Sequence, residues 1–288
     1  MITYNPKDWF KLITQFHKSD TFRRLIPVMI GIGVFTAIIV SFEIYVFHWS
    51  YKNNTVTHSI LGFVLSMLLV FRTNTAYERW WEGRKIWGDI VNQSRNLSIK
   101  LRTYIKKKDH RNELIHAIYT YNYIIRDHLL PNQINTANLT CLPNDLQKEL
   151  LESEHQPNTI SKYLANKTEE LRAKGELTEM QVLMLNEEMR SFVNNCGACE
   201  RIKNTPIPFS YNIFLKKIIF LYVMSIPFAF GPEFRYVTIV ISIVVLYVFA
   251  SIELIAEEIE DPFGDDDNDL PLEDICDRIK NNLLEIMK

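Results

Sequence analysis

The residue types that could do chemistry fall in four places. Cys196 and Cys199 form a C-x-x-C, the spacing of redox pairs and of half a zinc site. Zinc needs two more ligands, and the chain has no second C-x-x-C and no H-x-x-x-H to supply them. The plainer reading is two small residues buried in a helix. The segment DPFGDDDNDLPLEDI, which begins at Asp261, gathers hard oxygen donors. It is not an EF-hand. Counted from Asp265, position six is Leu270 where that loop needs glycine, and position twelve is Cys276 where it needs glutamate. Taken alone it is a solvated acidic stretch. His48 and His58 flank a short connection, either as interfacial side chains or as groups that respond to pH. The fourth place is Thr55–Trp87, where the uncharged run TVTHSILGFVLSMLLVF passes without a linker into RTNTAYERWWEGRKIW. A P-loop, a G-x-G-x-x-G, an H-E-x-x-H and a nucleophile elbow are all missing, so no enzyme is expected.

The elements that must position these residues are of two kinds. The mean hydropathy of −0.06 averages over two apolar blocks and a polar middle. A net charge of −2 excludes a nucleic-acid partner, because no basic excess exists to release counterions. Four cysteines in 288 residues do not make a disulfide framework. Leu25–Phe42 and Thr55–Phe71 are uncharged and long enough to cross a bilayer. Tyr236–Ile252, rich in Val and Ile, is a third such span. Ile213–Phe230 is a fourth, with Lys216 and Lys217 near its start and Pro227 at its end. Pro227 and Gly231-Pro232 are expected to separate the last two spans as a tight hairpin. Basic residues precede the first apolar run, but that run is long and lacks a small-x-small cleavage site, so it is expected to stay.

Lys and Arg crowd before the first span and after the second, whereas the 48–54 connection holds only Lys52. By the positive-inside rule both termini and the middle region face the cytosol. The middle reads as helix: Tyr77, Trp80, Trp81, Arg84 and Trp87 recur at helical spacing, as do apolar residues in Asn112–Leu130 and in Lys167–Lys203. Pro131–Pro157 reads as loop with short helices. Glu253, Glu257 and Glu260 place an acidic stripe on the continuation of the last span, and a terminal helix to Met287 follows the acidic stretch. The fold class is all-α, divided as 1–24 interfacial, 25–71 first membrane pair, 72–212 cytosolic, 213–256 second membrane pair and 257–288 acidic segment.

The string Phe71-Arg72-x-Asn74-x-x-Tyr77-x-Arg79-Trp80-Trp81-Glu82-x-Arg84-x-x-Trp87 is more specific than an aromatic belt. It resembles the signature of the bestrophin family, particularly its bacterial members. Trp9-Phe10 with Arg24-Leu25-Ile26-Pro27, Ile207-Pro208-Phe209-Ser210-Tyr211, and Asp261-Pro262-Phe263-Gly264 agree with the family in order and spacing, so the resemblance covers the whole chain.

The resemblance implies a homopentameric ion channel with one pore on the symmetry axis, passing chloride or sodium passively and needing no cofactor. Phe63, Met67 and Phe71 share one helical face. Spacing alone makes them lipid-facing or core residues; the resemblance makes them the family's apolar neck, which closes by dewetting. Ser59, Gly62 and Ser66 on a neighbouring face allow close helix approach. Counting back from Cys196-Gly197 places a cytosolic aperture at Met180. In eukaryotic relatives a calcium clasp uses positions that match Glu258, Asp261, Asp266 and Asp269 here. Glu43 and the later acidic stripe lean toward cations, provided they face the pore. Two rivals are kept. One is a membrane-anchored scaffold whose cytosolic helices bind a protein, and the other a redox enzyme using Cys196 and Cys199.

Overall fold

The computed structural model describes residues 20–47, 55–130, 136–264 and 266–288. The Trp9-Phe10 segment, His48, Pro131 and Asp265 lie outside them. All regular structure among the described residues is helical: α1 Asp20–Phe42 with a π turn Glu43–Phe47, α2 Thr55–Tyr104, α3 Lys108–Leu129, a 3-10 turn Thr136–Leu139, α4 Asn144–Glu152, α5 Gln156–Ala173, α6 Glu179–Asn204, α7 Phe209–Phe234, α8 Val237–Glu260 and α9 Leu272–Met287. Four of them are long and apolar enough to cross a membrane: Thr21–Val46, Val56–Tyr104, Phe209–Phe234 and Val237–Glu260.

The chain divides into two compact units. The membrane unit comprises the residues up to Arg79 together with Pro206–Glu260. The helical unit comprises Trp80–Thr205 and Asp261–Lys288. These borders differ from a division at residues 72 and 213. Arg72 and Arg79 are both bonded to Glu260 at the end of α8, which keeps the start of the signature with the membrane helices.

In the membrane unit α1 packs against α7 and α8 around Ile32, Val223, Ile226 and Leu246. A second apolar cluster joins Leu65 and Leu69 of α2 to Ile219 of α7. Helix α8 is full of β-branched residues, which are indifferent helix formers in water. Without water to take backbone hydrogen bonds, an apolar span has to satisfy them internally and the helix wins.

Two expectations are corrected here. Helix α7 does not end at Phe230 but runs from Phe209 through Pro227 and Pro232 to Phe234. Proline is tolerated in such a span because nearby groups can re-satisfy the carbonyls it frees; near the end of the helix Thr238 Oγ1 also donates to the Phe230 carbonyl at 3.2 Å. The chain reverses at Arg235, whose φ of 49° lies in the left-handed region. The stretch 167–203 is two helices, not one. Gly175, at φ +73°, terminates α5, and Thr178 with Gln181 forms a capping box that starts α6.

The helical unit is built around α3, whose residues Leu114, Ile115 and Ala117 to Asp127 are all buried. Helices α5, α6 and α9 pack on it or on one another. Its core runs from Trp87, Leu97 and Leu101 of α2 to Phe192 of α6 and Ile275 and Ile279 of α9. Tyr121 inside this core donates its hydroxyl to the Phe192 carbonyl at 2.8 Å.

Candidate functional site: the two faces of the long helix

Helix α2 has no proline in its 50 residues, so nothing interrupts it at Phe71–Arg72. Within the membrane unit its faces differ sharply. His58, Leu65, Leu69, Arg72 and Ala76 are buried at three-, four- and seven-residue intervals. On the other side Phe63, Met67 and Phe71 are 66%, 45% and 57% exposed. Ser59 and Ser66 are exposed as well, whereas Gly62 meets α7: a Cβ there would lie 2.6 Å from the Tyr222 hydroxyl. A larger residue there would force the Tyr222 ring to shift.

The buried face carries charge. Arg72 is fully enclosed and donates to Glu260 Oε2 at 2.6 Å. The other oxygen of Glu260 accepts the Ile207 N–H at 2.6 Å, and its backbone carbonyl accepts from Arg79 Nε at 3.0 Å. One residue at the end of α8 thus ties α2 to the chain leading into α7. Glu43 and Glu253 are buried too, and Glu257 is paired with Lys216 at 2.9 Å. The carboxylates that would have drawn cations therefore lie inside the subunit or beside a lysine. Glu43 sits so close to Gly231 that a Cβ on the glycine would overlap its carboxylate. His58 is buried, stacked on Tyr222 at 4.2 Å and bonded to Ser225 at 3.3 Å. The reason is its place on the inward face of α2.

In the helical unit the rest of the signature holds the D-P-F-G element. Trp80 Nε1 donates to the Asn268 carbonyl at 3.0 Å, and Trp81 stacks on Trp80. A Cβ on Gly83 would meet Pro262 at 3.0 Å and Phe263 at 3.2 Å. Phe263 and Trp87 are buried in one core. Glu82 pairs with Arg201 at 2.6 Å, and Arg84 is exposed. In the membrane unit Asn74 and Tyr77 are exposed.

The acidic stretch is folded, not merely solvated. Asp261 Oδ1 accepts the Phe263 N–H at 3.2 Å, and Leu270 N–H donates to the Pro262 carbonyl at 3.0 Å. Asp269 is buried; its Oδ2 accepts the Asp266 N–H at 2.6 Å, whereas Oδ1 has no hydrogen-bond partner. Burial pushes the Asp269 carboxyl up to about 7, and the charges of Asp266 and Asp261 add to this against the Asp266 N–H. An orphaned carboxylate oxygen among hard oxygen donors fits a calcium ion, and Asp261, Asp266 and Asp269 share this element. Glu258, in the membrane unit, lies 3.8 Å from Arg24.

Met180 occupies the first turn of α6 and is 63% exposed, beside exposed Leu183 and Met184. Cys196 and Cys199 are buried on the same helix. Glu260 escaped the sequence reading as a key residue because its partner Arg72 lies 188 positions away. No local pattern announces such a pair.

The comparisons bear on the whole chain. The profile of a family described as Bacterial/Fungal Bestrophin protein matches residues 1–285. A protein of Synechocystis named a voltage-dependent anion channel-forming protein is 34% identical over 83% of this chain and 80% of its own length. The Escherichia coli K12 protein of the same designation, YneE, is 30% identical over 99% of this chain and 94% of its own. A crystal structure of a bacterial bestrophin homologue from Klebsiella pneumoniae superposes with a TM-score of 0.86 at 26% identity, covering 91% of this chain and 98% of that one. The chain belongs to the bacterial and fungal bestrophin family.

Proposed function

We propose that this chain forms a passive channel for small monovalent anions of the chloride class in a bacterial cytoplasmic membrane. It acts as a homopentamer, with both termini and residues 72–212 on the cytosolic side. The observation that carries the reading is the two-faced pore helix. Its inward face is closed by Leu65, Leu69 and the Arg72–Glu260 pair, while Phe63, Met67 and Phe71 project outward. A single subunit cannot enclose an aqueous path, but a ring of identical subunits brings one copy of that stripe from each to a common axis. Three apolar rings make a neck that conducts when hydrated and closes by dewetting. Met67 in the middle ring is unbranched and polarizable, which makes the neck adaptable. Met180 forms a second, cytosolic aperture. The acidic element holds Ca²⁺ through Asp261, Asp266 and Asp269.

The sign of the ion follows from two supports. The curated relatives are named as anion channels. Of the acidic residues that lean toward cations, Glu43, Glu253 and Glu260 are buried in the subunit and the exposed Glu257 is paired with Lys216. The test is a bilayer recording of purified protein in asymmetric NaCl. A reversal potential on the chloride side is expected, and one on the sodium side would overturn the anion assignment. Phe63→Ala and Met67→Ala are expected to raise open probability or conductance; unchanged values in both would refute the neck. A stable oligomer with no flux would favour a membrane-anchored scaffold.

A further inference from the structure

A cluster outside the pore helix and the acidic element is left over. Where the last turn of α3, the start of α5 and the end of α6 converge, His128 Nε2 lies 2.7 Å and His155 Nε2 2.8 Å from the same oxygen, Oε1 of Glu200. The two rings are 4.8 Å apart. Among the described residues this is the one group of three whose ligand atoms all lie within 4.8 Å of one another. One helical turn before Glu200, the Cys196 sulfur sits 3.8 Å from the same oxygen.

We propose that His128, His155 and Glu200 bind a transition-metal ion of the Zn²⁺ class, with the Cys196 sulfur beside the fourth position. Two imidazoles, a carboxylate and a thiol form the mixed nitrogen, oxygen and sulfur set that zinc prefers over Ca²⁺ or Mg²⁺. Each of the three ligands comes from a different helix, so backbone packing already holds them together. All three side chains are partly exposed, which leaves a route for the ion and for the protons it displaces. Burial by itself would push the Glu200 carboxyl up. The hydrogen bonds from the two histidines outweigh it and hold the group below the ordinary carboxylate range, as an anion ready to ligate. The Cys196 thiol is pushed up to about 12 by burial and by the charge of Glu200. A bound cation reverses that second effect.

The proton inventory is explicit. His155 Nδ1 accepts the Asn158 N–H at 3.2 Å as the N-cap of α5, so its proton sits on Nε2 and points at Glu200. When a metal takes Nε2 that proton is released, Nδ1 acquires one from solvent, and the ring gives up the cap. The exchange is one neutral hydrogen bond for a coordinate bond. His128 exchanges its Nε2 proton in the same way, so a neutral ring releases no net proton; at acid pH, where an imidazolium must first lose one, uptake weakens. The ion would bind these helices whether or not α2 lines a pore.

The test is calorimetric titration of the full-length, detergent-solubilised protein with Zn²⁺ alone as probe, in excess Ca²⁺ to occupy the acidic element. Saturable uptake of one ion per chain is expected, with a rise in the thermal unfolding midpoint. His128→Ala should weaken uptake at least 10-fold, the loss that removal of even an outer-shell partner produces, and should abolish the rise. His155→Asn should do the same while keeping a good N-cap side chain, so its failure to bind would not reflect a lost helix start. No saturable uptake in the wild type, or wild-type affinity in both variants, would overturn the assignment.

Discussion

Replacing Asp269 by Asn should make the protein more stable at neutral and alkaline pH, and by an amount that grows with pH. Asp269 Oδ2 accepts the Asp266 N–H, but Oδ1 is buried with no partner, and burial with the charges of Asp266 and Asp261 raises the carboxyl to about 7. In the unfolded chain the same group titrates near 3.8. The folded form therefore holds a proton that the unfolded form has lost between those two values. The stability Asp269 contributes is complete below about pH 4 and disappears as pH rises through about 7. Each pH unit of that window is worth about 1.4 kcal/mol, so the full difference is on the order of 4 kcal/mol. Asn cannot titrate. Its amide oxygen still takes the Asp266 N–H, and the amide nitrogen replaces the orphaned anionic oxygen.

The assay is chemical unfolding of the solubilised protein from pH 5 to pH 8 in the presence of a chelator. The wild type should lose stability relative to Asp269→Asn by about 1.4 kcal/mol per unit and then level off above pH 7. Adding Ca²⁺ at pH 7.5 should stabilise the wild type, since an ion that binds only the folded state stabilises by mass action. The same addition should leave Asp269→Asn little changed. Parallel pH profiles for the two proteins would refute the buried, uncompensated carboxyl and with it the reason to place a cation there.

Two other contacts yield direct tests. Gly62→Ala places a Cβ 2.6 Å from the Tyr222 hydroxyl and should cost about 1–3 kcal/mol by overpacking α2 against α7. Part of that loss should return in Gly62→Ala/Tyr222→Phe, and a double variant as unstable as Gly62→Ala would refute the contact. Glu260→Gln leaves Arg72 buried without its counter-charge and should cost about 3–5 kcal/mol. In combination with Arg72→Met the loss should be smaller than the sum of the single losses, and additivity within about 0.5 kcal/mol in a denaturation cycle would refute the coupling.

What could be read from the chain was whatever its neighbours in sequence decide. The four membrane-length helices follow from local hydropathy, and the continuity of α2 across Phe71–Arg72 follows from a run with no proline. Pro227 and Pro232 are weak stop signals here, because in a membrane-length helix neighbouring groups can take the carbonyls that a proline frees, and α7 runs on to Phe234. The break between α5 and α6 is legible in the chain: Gly175 and the Thr178-x-x-Gln181 box are standard stop and start signals. The cluster at Glu200 was not legible. Ligand motifs such as C-x-x-C reveal only partners at short spacing, whereas His128 and His155 reach Glu200 from 72 and 45 residues away.

The acidic stripe of α8 shows most clearly why residue type does not settle ion selectivity. Glu253, Glu257 and Glu260 share a helix face and, by sequence, would attract cations to a pore. In the fold Glu260 neutralises Arg72, and Glu257 and Glu253 both lie within 4 Å of Lys216 Nζ. An ion on the outward face of α2 would meet Phe63, Met67 and Phe71 rather than those carboxylates. The negative residues hold α2, α7 and α8 together, and so set which way the apolar stripe points. Their effect on conduction is then indirect. If the proposed neck is right, removing Glu260 should disturb it through the helix that carries it, not by subtracting a charge that ions encounter.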